Sequence, residues 1–255
     1  MSNTGLEGDA LDADDQRLHA PSLVTLATRA IRRKILAGDV APGEKLVEER
    51  LTEELAISRP PLREALRLLE NEGLVFTRPR RGTFVTTLTD QDVYEILTLR
   101  STLERMSFEL GIPVVDAALL EPARQALAQM DACARAQDRG ALVEAGYAFH
   151  SRLIRIARHR RLEAVYAGVQ QQVLLCMSRN LIVRERFYED LEEHVARHRH
   201  LFELVESGDQ AAALAELAIH GEGSFETAKD KRPQPTGIGR AQASAPSSGP
   251  VVPGR

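Results

Sequence analysis

Three arginines spaced four residues apart are the first side chains in this sequence that could do chemistry. Arg59, Arg63 and Arg67 share one face of a predicted helix, and Leu62, Ala65, Leu66 and Leu69 form its apolar face. The helix is predicted to begin after Ser58, because a Ser side chain can accept a hydrogen bond from the free N–H groups of a first turn and two prolines fit there. Guanidinium groups at that end of a helix can bind DNA phosphates or guanine O6 and N7 in the major groove. The stretch therefore predicts a DNA-recognition helix.

Three histidines are the second candidate, and the chemistry that they offer is metal binding. His150, His198 and His220 lie in three different predicted helices. Neutral imidazole nitrogens bind zinc, nickel and copper. A single histidine in a helix is more often a hydrogen-bonded or surface residue than a ligand, however, and spacing alone does not show that these three converge. From the residues alone, a metal site and three unrelated histidines both stay open.

The elements around the arginines have the order of a winged helix-turn-helix. Helices are predicted at Leu23–Leu36 and at about Val47–Ala56, and two short β-prone runs follow the arginine helix at Leu74–Thr77 and Thr83–Thr86. The loop between these runs contains Gly82 and three arginines, which is typical of a wing that lies on the DNA backbone or in the minor groove. The arginines of the loop are Arg78, Arg80 and Arg81.

Each of these basic features alone is more often a solvated surface than a binding site, but their order along some sixty residues favours DNA binding. Between Arg59 and Val85 the sequence has six arginines and three glutamates, a local net charge of +3, although the whole chain has a net charge of −4. Because the distribution of charge matters more than its sum, the acidic total does not exclude a nucleic-acid partner.

From Asp90 onward the apolar spacing is helical throughout. The predicted fold is mainly α: an N-terminal winged helix-turn-helix with three helices and a β-hairpin wing, followed by a six- to seven-helix antiparallel bundle. We expect a disordered tail at residues 1–20, the winged domain at 21–88, the helical domain at 89–229 and a second disordered tail at 230–255. The predicted helices of the bundle are Asp90–Leu110, Asp116–Gln137, Ala141–Ala157, Leu162–Leu181, Phe187–Glu206 and Gln210–Thr227.

Composition narrows the class of protein further. No apolar run approaches the length that spans a membrane, and the first residues are acidic where a signal peptide would be basic, so we expect a cytoplasmic protein. Cys133 and Cys176 are too few and too far apart for a disulfide framework or a cysteine metal site, and are predicted to be reduced core residues.

The basic region carries a resemblance to a known family. The runs Ile35–Leu51 and Ile57–Leu74, together with Arg80-Arg-Gly82, resemble the winged helix-turn-helix of GntR-family transcriptional regulators. The resemblance implies that Arg59 and Arg63 contact the operator, assisted by Ser58 and Gly82. Members of the family often add an arginine at the start of the preceding helix. That position is Glu49 here, and Arg50 beside it is the candidate for this contact.

The helical region is similar to the all-helical ligand domain, the FCD domain, of the FadR-type branch of that family. The similarity rests on Tyr94 to Arg100 with Glu104, on Phe149-His150, and on His198 and His220. In that branch three histidines and an aspartate four residues before the first of them hold a metal, commonly zinc or nickel, inside the bundle. Gly146 stands at the aspartate position here. His194, one turn before His198, is a candidate substitute ligand.

Arg100 has two interpretations. From its spacing it forms a surface ion pair with Glu104 at i+4. The resemblance instead places it at the pocket, where its planar fork could pair with the carboxylate of an organic acid.

The expected protein is a homodimeric transcription factor, acting as a repressor, that binds a palindromic DNA operator and responds to a small-molecule effector, with zinc or nickel as its candidate cofactor. A metal-dependent hydrolase that uses the three histidines to activate water is the alternative from another class. A third alternative is a protein-interaction module whose bundle only dimerises.

Overall fold

The computed structural model describes residues 21–187 and 189–220. The two predicted tails lie outside the described residues, and so does the end of the last predicted helix beyond His220. The described residues form ten α-helices and three short strands. The helices are α1 (Leu23–Ala37), α2 (Glu48–Leu55), α3 (Arg59–Asn71), α4 (Asp90–Gly111), α5 (Glu121–Arg135), α6 (Arg139–Leu153), α7 (Arg160–Gly168), α8 (Gln170–Phe187), α9 (Leu191–Ser207) and α10 (Gln210–His220), and the strands are β1 (Lys45–Leu46), β2 (Val75–Arg78) and β3 (Gly82–Val85).

The winged helix-turn-helix is confirmed. Helices α1 to α3 are followed by the antiparallel hairpin β2–β3, in which Val75 pairs with Val85 and Arg78 pairs with Gly82. Strand β1, which the sequence analysis did not predict, adds to the hairpin and gives the strand order β1-β3-β2. Two residues are too few to show the alternation that identifies a strand in a sequence. The domain core includes Ile31, Leu51, Leu62, Leu66, Leu69 and Val85.

The start of α3 corrects one prediction. Ser58 is the residue before the helix and has an extended backbone, but its side chain makes no capping hydrogen bond. A capping side chain accepts from the N–H of the second or third helical residue. Those residues are Pro60 and Pro61, which have no N–H. The prolines thus fix the start of the helix and leave the exposed Ser58 hydroxyl without a capping role.

The bundle contains seven helices, α4 to α10, and differs from the prediction in its breaks. The helix predicted at Leu162–Leu181 is two helices, because α7 ends at Gly168 and α8 runs on to Phe187. The helix predicted from Phe187 begins at Leu191. Asp190 and Glu193 form a reciprocal capping box there, which fixes that start.

Two other predicted helices each include a 3₁₀ turn at one end. The segment predicted at Ala141–Ala157 is α6 followed by a 3₁₀ turn at Ile154–Ala157, and the one predicted from Asp116 begins with a 3₁₀ turn at Ala117–Leu119. Helix α4 ends at Gly111, one residue beyond the predicted Leu110. The bundle core contains Phe108, Phe149, Tyr166, Leu201 and Phe202. Cys133 and Cys176 are buried and free, as expected.

The two domains share a packed seam. The last residues of α1 pack against α6 and α8, and Leu36 belongs to the core of the bundle. The buried Ser178 hydroxyl on α8 donates to the Leu36 carbonyl oxygen at 2.6 Å. Gly140 on α6 lies so close to α1 that a Cβ there would be 2.5 Å from the Arg33 carbonyl oxygen. The first helix of the winged domain therefore rests on the two bundle helices that carry His150 and Ser178.

Within the described ranges, every helix is too short or too polar to cross a membrane.

Candidate functional site

The recognition helix presents its arginines to solvent. Arg59 and Arg63 are exposed at the first two turns of α3, and Arg63 Nε donates to Glu48 Oε2 of α2 at 3.0 Å. Arg67 pairs with Glu64 one turn back on its own helix at 2.7 Å. The buried face of α3 is Leu62, Ala65, Leu66 and Leu69, as predicted. The helix therefore has the anchored apolar side and the open cationic side that the spacing indicated.

The wing has a rigid base and a basic tip. The Arg78 guanidinium lies over the rings of Phe76 and Phe84, 5.2 and 5.4 Å from their centroids, so this arginine stabilises the hairpin. Arg80 and Arg81 are exposed at the tip. Gly82 has a φ of 103°, in the left-handed region that favours glycine. Gly82 thus shapes the turn that presents the two tip arginines.

Arg50 lies in the first half of α2 next to Glu49. Its Nε donates to Glu54 Oε1 at 2.8 Å, and 74% of the side chain is exposed. The side chain can leave this surface ion pair at little cost.

The structure brings the three histidines together. His150 on α6, His198 on α9 and His220 on α10 each offer a ring nitrogen, and these nitrogens all lie within 4.8 Å of one another. All three side chains are buried. Residues 48 and 22 positions apart in the chain thus form one cluster, which their spacing alone did not show.

The imidazoles are oriented and neutral. His198 Nδ1 lies 2.8 Å from the His194 carbonyl oxygen and His150 Nδ1 lies 3.3 Å from Glu104 Oε1, so each Nδ1 carries the proton and each Nε2 keeps its lone pair. Burial lowers the pKa of His150, and lowers the pKa of His198 and His220 well below the usual value. The cluster is therefore uncharged at neutral pH.

Ring nitrogens without a hydrogen-bond partner make the cluster a suitable site for a metal ion. His150 Nε2 and both ring nitrogens of His220 are buried and have no hydrogen-bond partner among the described residues. Buried polar atoms are rarely left without a partner. Three neutral imidazoles with free lone pairs are a ligand set that suits zinc or nickel.

Gly146 and His194 are the two further positions that the resemblance connected with a metal site. Gly146 is one turn before His150, and a Cβ there would be 3.1 Å from the Met177 Cε and 3.6 Å from the Met130 Cε. Methionine methyl groups therefore fill the direction in which the family aspartate would extend. His194 Nδ1 instead lies 3.1 Å from Glu189 Oε1, and this ring is outside the convergent set.

Arg100 forms the ion pair with Glu104 that its spacing predicted, but this pair does not lie on the surface. Its Nε donates to Glu104 Oε1 at 2.8 Å, and the pair is buried in the bundle rather than exposed on its surface. Arg100 also lines the cavity that contains the three histidines. Although burial would raise the pKa of Glu104, the charge of Arg100 and the contact with His150 hold it well below its usual range. A fixed carboxylate thus lies between the arginine and the histidine.

Glu104 and Tyr166 are site residues that the sequence analysis did not identify. The Tyr166 hydroxyl on α7 donates to Glu104 Oε1 at 2.7 Å, so this oxygen accepts hydrogen bonds from Tyr166 and Arg100 and also lies 3.3 Å from His150 Nδ1. Glu104 was recognised only as the neighbour of Arg100, because its partners His150 and Tyr166 lie 46 and 62 residues further along the chain. No local pattern could have linked them.

The cavity is small. Its volume is about 40 Å³, which corresponds to roughly three water molecules at about 10–15 Å³ each. Beyond the charged residues it is lined by the apolar side chains of Leu97, Leu142, Val143, Met177, Leu181 and Leu217 and by the polar side chains of Ser101 and Asn180. This space accommodates a metal ion with a small ligand.

A second charged network holds one wall of the cavity. Glu189 accepts hydrogen bonds from Arg184 at 2.7 Å and from Arg197 at 3.0 Å. Arg197 Nη1 also donates to the His220 carbonyl oxygen at 2.9 Å. This network ties the end of α10 to α9 and thereby fixes the backbone of His220.

Comparison with known proteins assigns both parts of the chain to described families. Residues 24–85 match the family described as "Bacterial regulatory proteins, gntR family", and residues 95–223 match the FCD domain. An uncharacterized HTH-type transcriptional regulator, YdhC of Bacillus subtilis (strain 168), is 30% identical over 209 residues, covering 81% of this chain and 92% of that protein. The gluconate operon transcriptional repressor of the same organism is 24% identical over 189 residues, covering 73% of this chain and 77% of that protein.

The fold has relatives among solved structures. A putative GntR transcriptional regulator from Rhodococcus sp. RHA1 superposes with a TM-score of 0.64 at 23% identity, covering 83% of this chain and all of that one. These relatives are DNA-binding regulators, and none of the comparisons supports the hydrolase alternative. A winged helix-turn-helix with exposed arginines, followed by a helical domain with a buried histidine cluster, matches both parts of one family: the chain belongs to the GntR family of transcriptional regulators and carries an FCD domain.

Proposed function

We propose that this regulator represses transcription by binding a palindromic operator as a homodimer, and that a small organic acid bound in the helical domain releases it. The observation that carries the proposal is the cavity in which Arg100 and three neutral histidines meet, in a helical domain that packs against the winged domain. The winged domain, residues 21–88, has the DNA-binding role, and the helical domain, residues 89–229, has the ligand-binding and dimerisation roles. The name of the gluconate operon repressor supports repression as the mode of action.

The proposed DNA contacts are made by the exposed cations. Arg59 and Arg63 at the start of α3 enter the major groove, and the Ser58 hydroxyl, free of a capping role, donates to a phosphate. Arg63 leaves its exposed ion pair with Glu48 and contacts the DNA instead. Arg80 and Arg81 lie along the backbone or minor groove, with Gly82 shaping their turn, and Arg50 adds a phosphate contact.

The proposed metal is zinc or nickel, held by Nε2 of His150, Nε2 of His198 and a ring nitrogen of His220. When bound, it would supply an electrophilic centre that attracts a carboxylate. Arg100 has a planar guanidinium that can pair with the same carboxylate. The three imidazoles bring no charge of their own and would leave a coordination position of the metal free, so an organic anion would be favoured at that position.

The surface of α4 supports a homodimer. Leu99, Met106 and Leu110 are exposed and lie on one face of this helix. An apolar stripe of this kind is typical of a surface that packs against another helix. Two copies related by a two-fold axis would present two winged domains to a palindromic operator.

The seam between the domains supplies a route from the cavity to the DNA-binding domain. On α8, Met177 lines the cavity, and its neighbour Ser178 is hydrogen-bonded to Leu36 at the end of α1. Ligand binding that shifts α8 would therefore shift α1 and the winged domain to which α1 belongs. In a dimer, a change in the relative placement of the two winged domains would lower the affinity for two DNA half-sites at a fixed spacing.

Fluorescence anisotropy of an operator duplex tests this proposal in the presence of zinc or nickel and a set of small carboxylic acids. We expect at least one acid to weaken DNA binding about tenfold or more, which corresponds to about 1.4 kcal/mol. Arg100→Lys keeps the charge beside Glu104 but removes the planar fork, so it should bind DNA normally and lose the response. An Arg100→Lys variant that responds like the wild type would contradict the role of Arg100, and a wild type that ignores every acid would contradict release by an organic acid.

A further inference from the structure

We propose that Glu104 is the positioning residue of the histidine cluster and that it supplies, from behind His150, the negative charge that this chain lacks at position 146. The proposal rests on the metal site of the proposed function. It goes further by naming the residue that makes three neutral imidazoles sufficient for metal binding.

Glu104 is a buried carboxylate whose Oε1 has three close polar partners. Glu104 is 5% exposed. Its Oε1 accepts from Arg100 Nε at 2.8 Å and from the Tyr166 hydroxyl at 2.7 Å, and it lies 3.3 Å from His150 Nδ1. Arg100 is on the same helix, while Tyr166 and His150 come from α7 and α6. The first two donors hold the carboxylate in place, and the third contact carries its effect to the cluster.

The contact with His150 decides which ring nitrogen can bind a metal. A proton on Nδ1 donates to Glu104, so the lone pair is on Nε2, which is buried without a partner and belongs to the converging set. A carboxylate behind a ligand imidazole also makes its other nitrogen a stronger donor. His198 has a weaker support of the same kind, because its Nδ1 lies 2.8 Å from a neutral backbone carbonyl.

Glu104 also balances the charge of the cavity. The other charged side chains that line it are Arg100 and Arg197, and Arg197 is paired with Glu189. Without Glu104 the positive charge of Arg100 would face a divalent cation across a site with little solvent. Gly146 offers no ligand atom, and methionine methyl groups occupy its direction. Glu104 makes the closer of two acid contacts with the cluster, because its Oε1 lies 3.3 Å from His150 Nδ1 whereas Glu216 Oε1 lies 3.9 Å from His220 Nδ1.

The test is the zinc affinity of the full chain, measured by competition with a chromophoric chelator. Glu104→Gln should weaken zinc binding by roughly 10- to 100-fold, the usual effect of removing an outer partner of a metal-binding histidine. Glu109→Gln, the same substitution on the exposed face of the same helix, is the matched control and should leave the affinity unchanged.

A second variant separates positioning from charge repulsion and covers a failure of Glu104→Gln to fold. Arg100→Met with Glu104→Met replaces the buried pair by apolar side chains, an exchange that stability usually tolerates. This variant should still bind zinc at least tenfold more weakly. In nitrogen-15 spectra of the metal-free protein, the wild-type His150 should be protonated at Nδ1, whereas the double variant should show a mixture of tautomers.

The outcomes distinguish a failure of the metal site from a failure of the role of Glu104. A wild type that binds neither zinc nor nickel overturns the metal site itself. A wild type that binds zinc, together with folded Glu104 variants that bind it equally well and keep the His150 tautomer, overturns the role of Glu104 alone.

Discussion

Gly146 stands one turn before His150, on the helix face where a carboxylate could join the histidines. The atoms nearest to a Cβ at this position are the methyl ends of Met177 and Met130, which are flexible and can move aside. Gly146→Asp should therefore add an anionic ligand and tighten zinc binding about tenfold or more, as chelator competition would show. Gly146→Asn has the same shape without the charge and should gain less. Equal losses of affinity in both variants would contradict this account of the site.

Arg63 gives the residue-scale prediction for DNA. Arg63→Ala removes a cation that is paired only at the protein surface, with Glu48, so the fold should be unaffected. Operator affinity should fall by about 1–3 kcal/mol, the usual contribution of a specific arginine contact. Arg135→Ala, on the exposed surface of the bundle, is the control and should bind like the wild type. The prediction fails if both variants show the same affinity in anisotropy titrations.

Residue roles could be predicted where they depend on neighbours in the sequence, and not otherwise. The buried and exposed faces of α3 followed from spacing alone. The hydrogen bond expected of Ser58 was wrong, although Pro60 and Pro61 already showed that no N–H was available. The contacts of Glu104 with His150 and Tyr166 join distant segments, so only the packed structure reveals them.

Helix α8 links the cavity to the winged domain, which leads to a prediction at the scale of elements. Ser178→Ala removes the hydrogen bond to the Leu36 carbonyl, a direct polar link between α8 and α1. Basal operator affinity should change little, because the buried apolar seam remains. Release by the effector should weaken several-fold, because movement of α8 is transmitted less completely.

Ser207→Ala is the matched control for this variant. The Ser207 hydroxyl also donates to a backbone carbonyl, that of Leu204, but at the exposed end of α9. We expect Ser207→Ala to respond to the effector like the wild type in the anisotropy titration. Identical responses of Ser178→Ala and the wild type would remove this hydrogen bond from the route.

Most elements could be predicted from apolar spacing, and their breaks could not. Helices α1 to α4 and the hairpin lie close to their predicted positions, because glycine or proline residues mark their ends. The break at Val169 was missed, since the apolar spacing continues across it. The extension of α8 to Phe187 was also missed. The capping box at Asp190 and Glu193 was present in the sequence and would have corrected the start of α9.

The whole molecule has a net charge of −4, although α3 and the wing are basic. The bundle has an excess of acidic residues that would repel DNA, whereas the exposed arginines of α3 and the wing attract it, so we expect DNA to bind at the winged domain. Because phosphate contacts release counterions, the affinity should fall steeply with salt, with a log–log slope of about 0.9 for each phosphate neutralised. Specific binding is therefore best measured near physiological salt, where nonspecific contacts are weak.

The most direct test of the central claim is to sequence the genomic DNA fragments that the purified protein retains at physiological salt. The wild type is compared with a variant that carries Arg59→Ala and Arg63→Ala. The account predicts that the wild-type fragments share a palindromic sequence and that the variant, although folded, enriches none. Wild-type fragments without a common sequence, or the same palindrome enriched by the variant, would contradict operator recognition by α3.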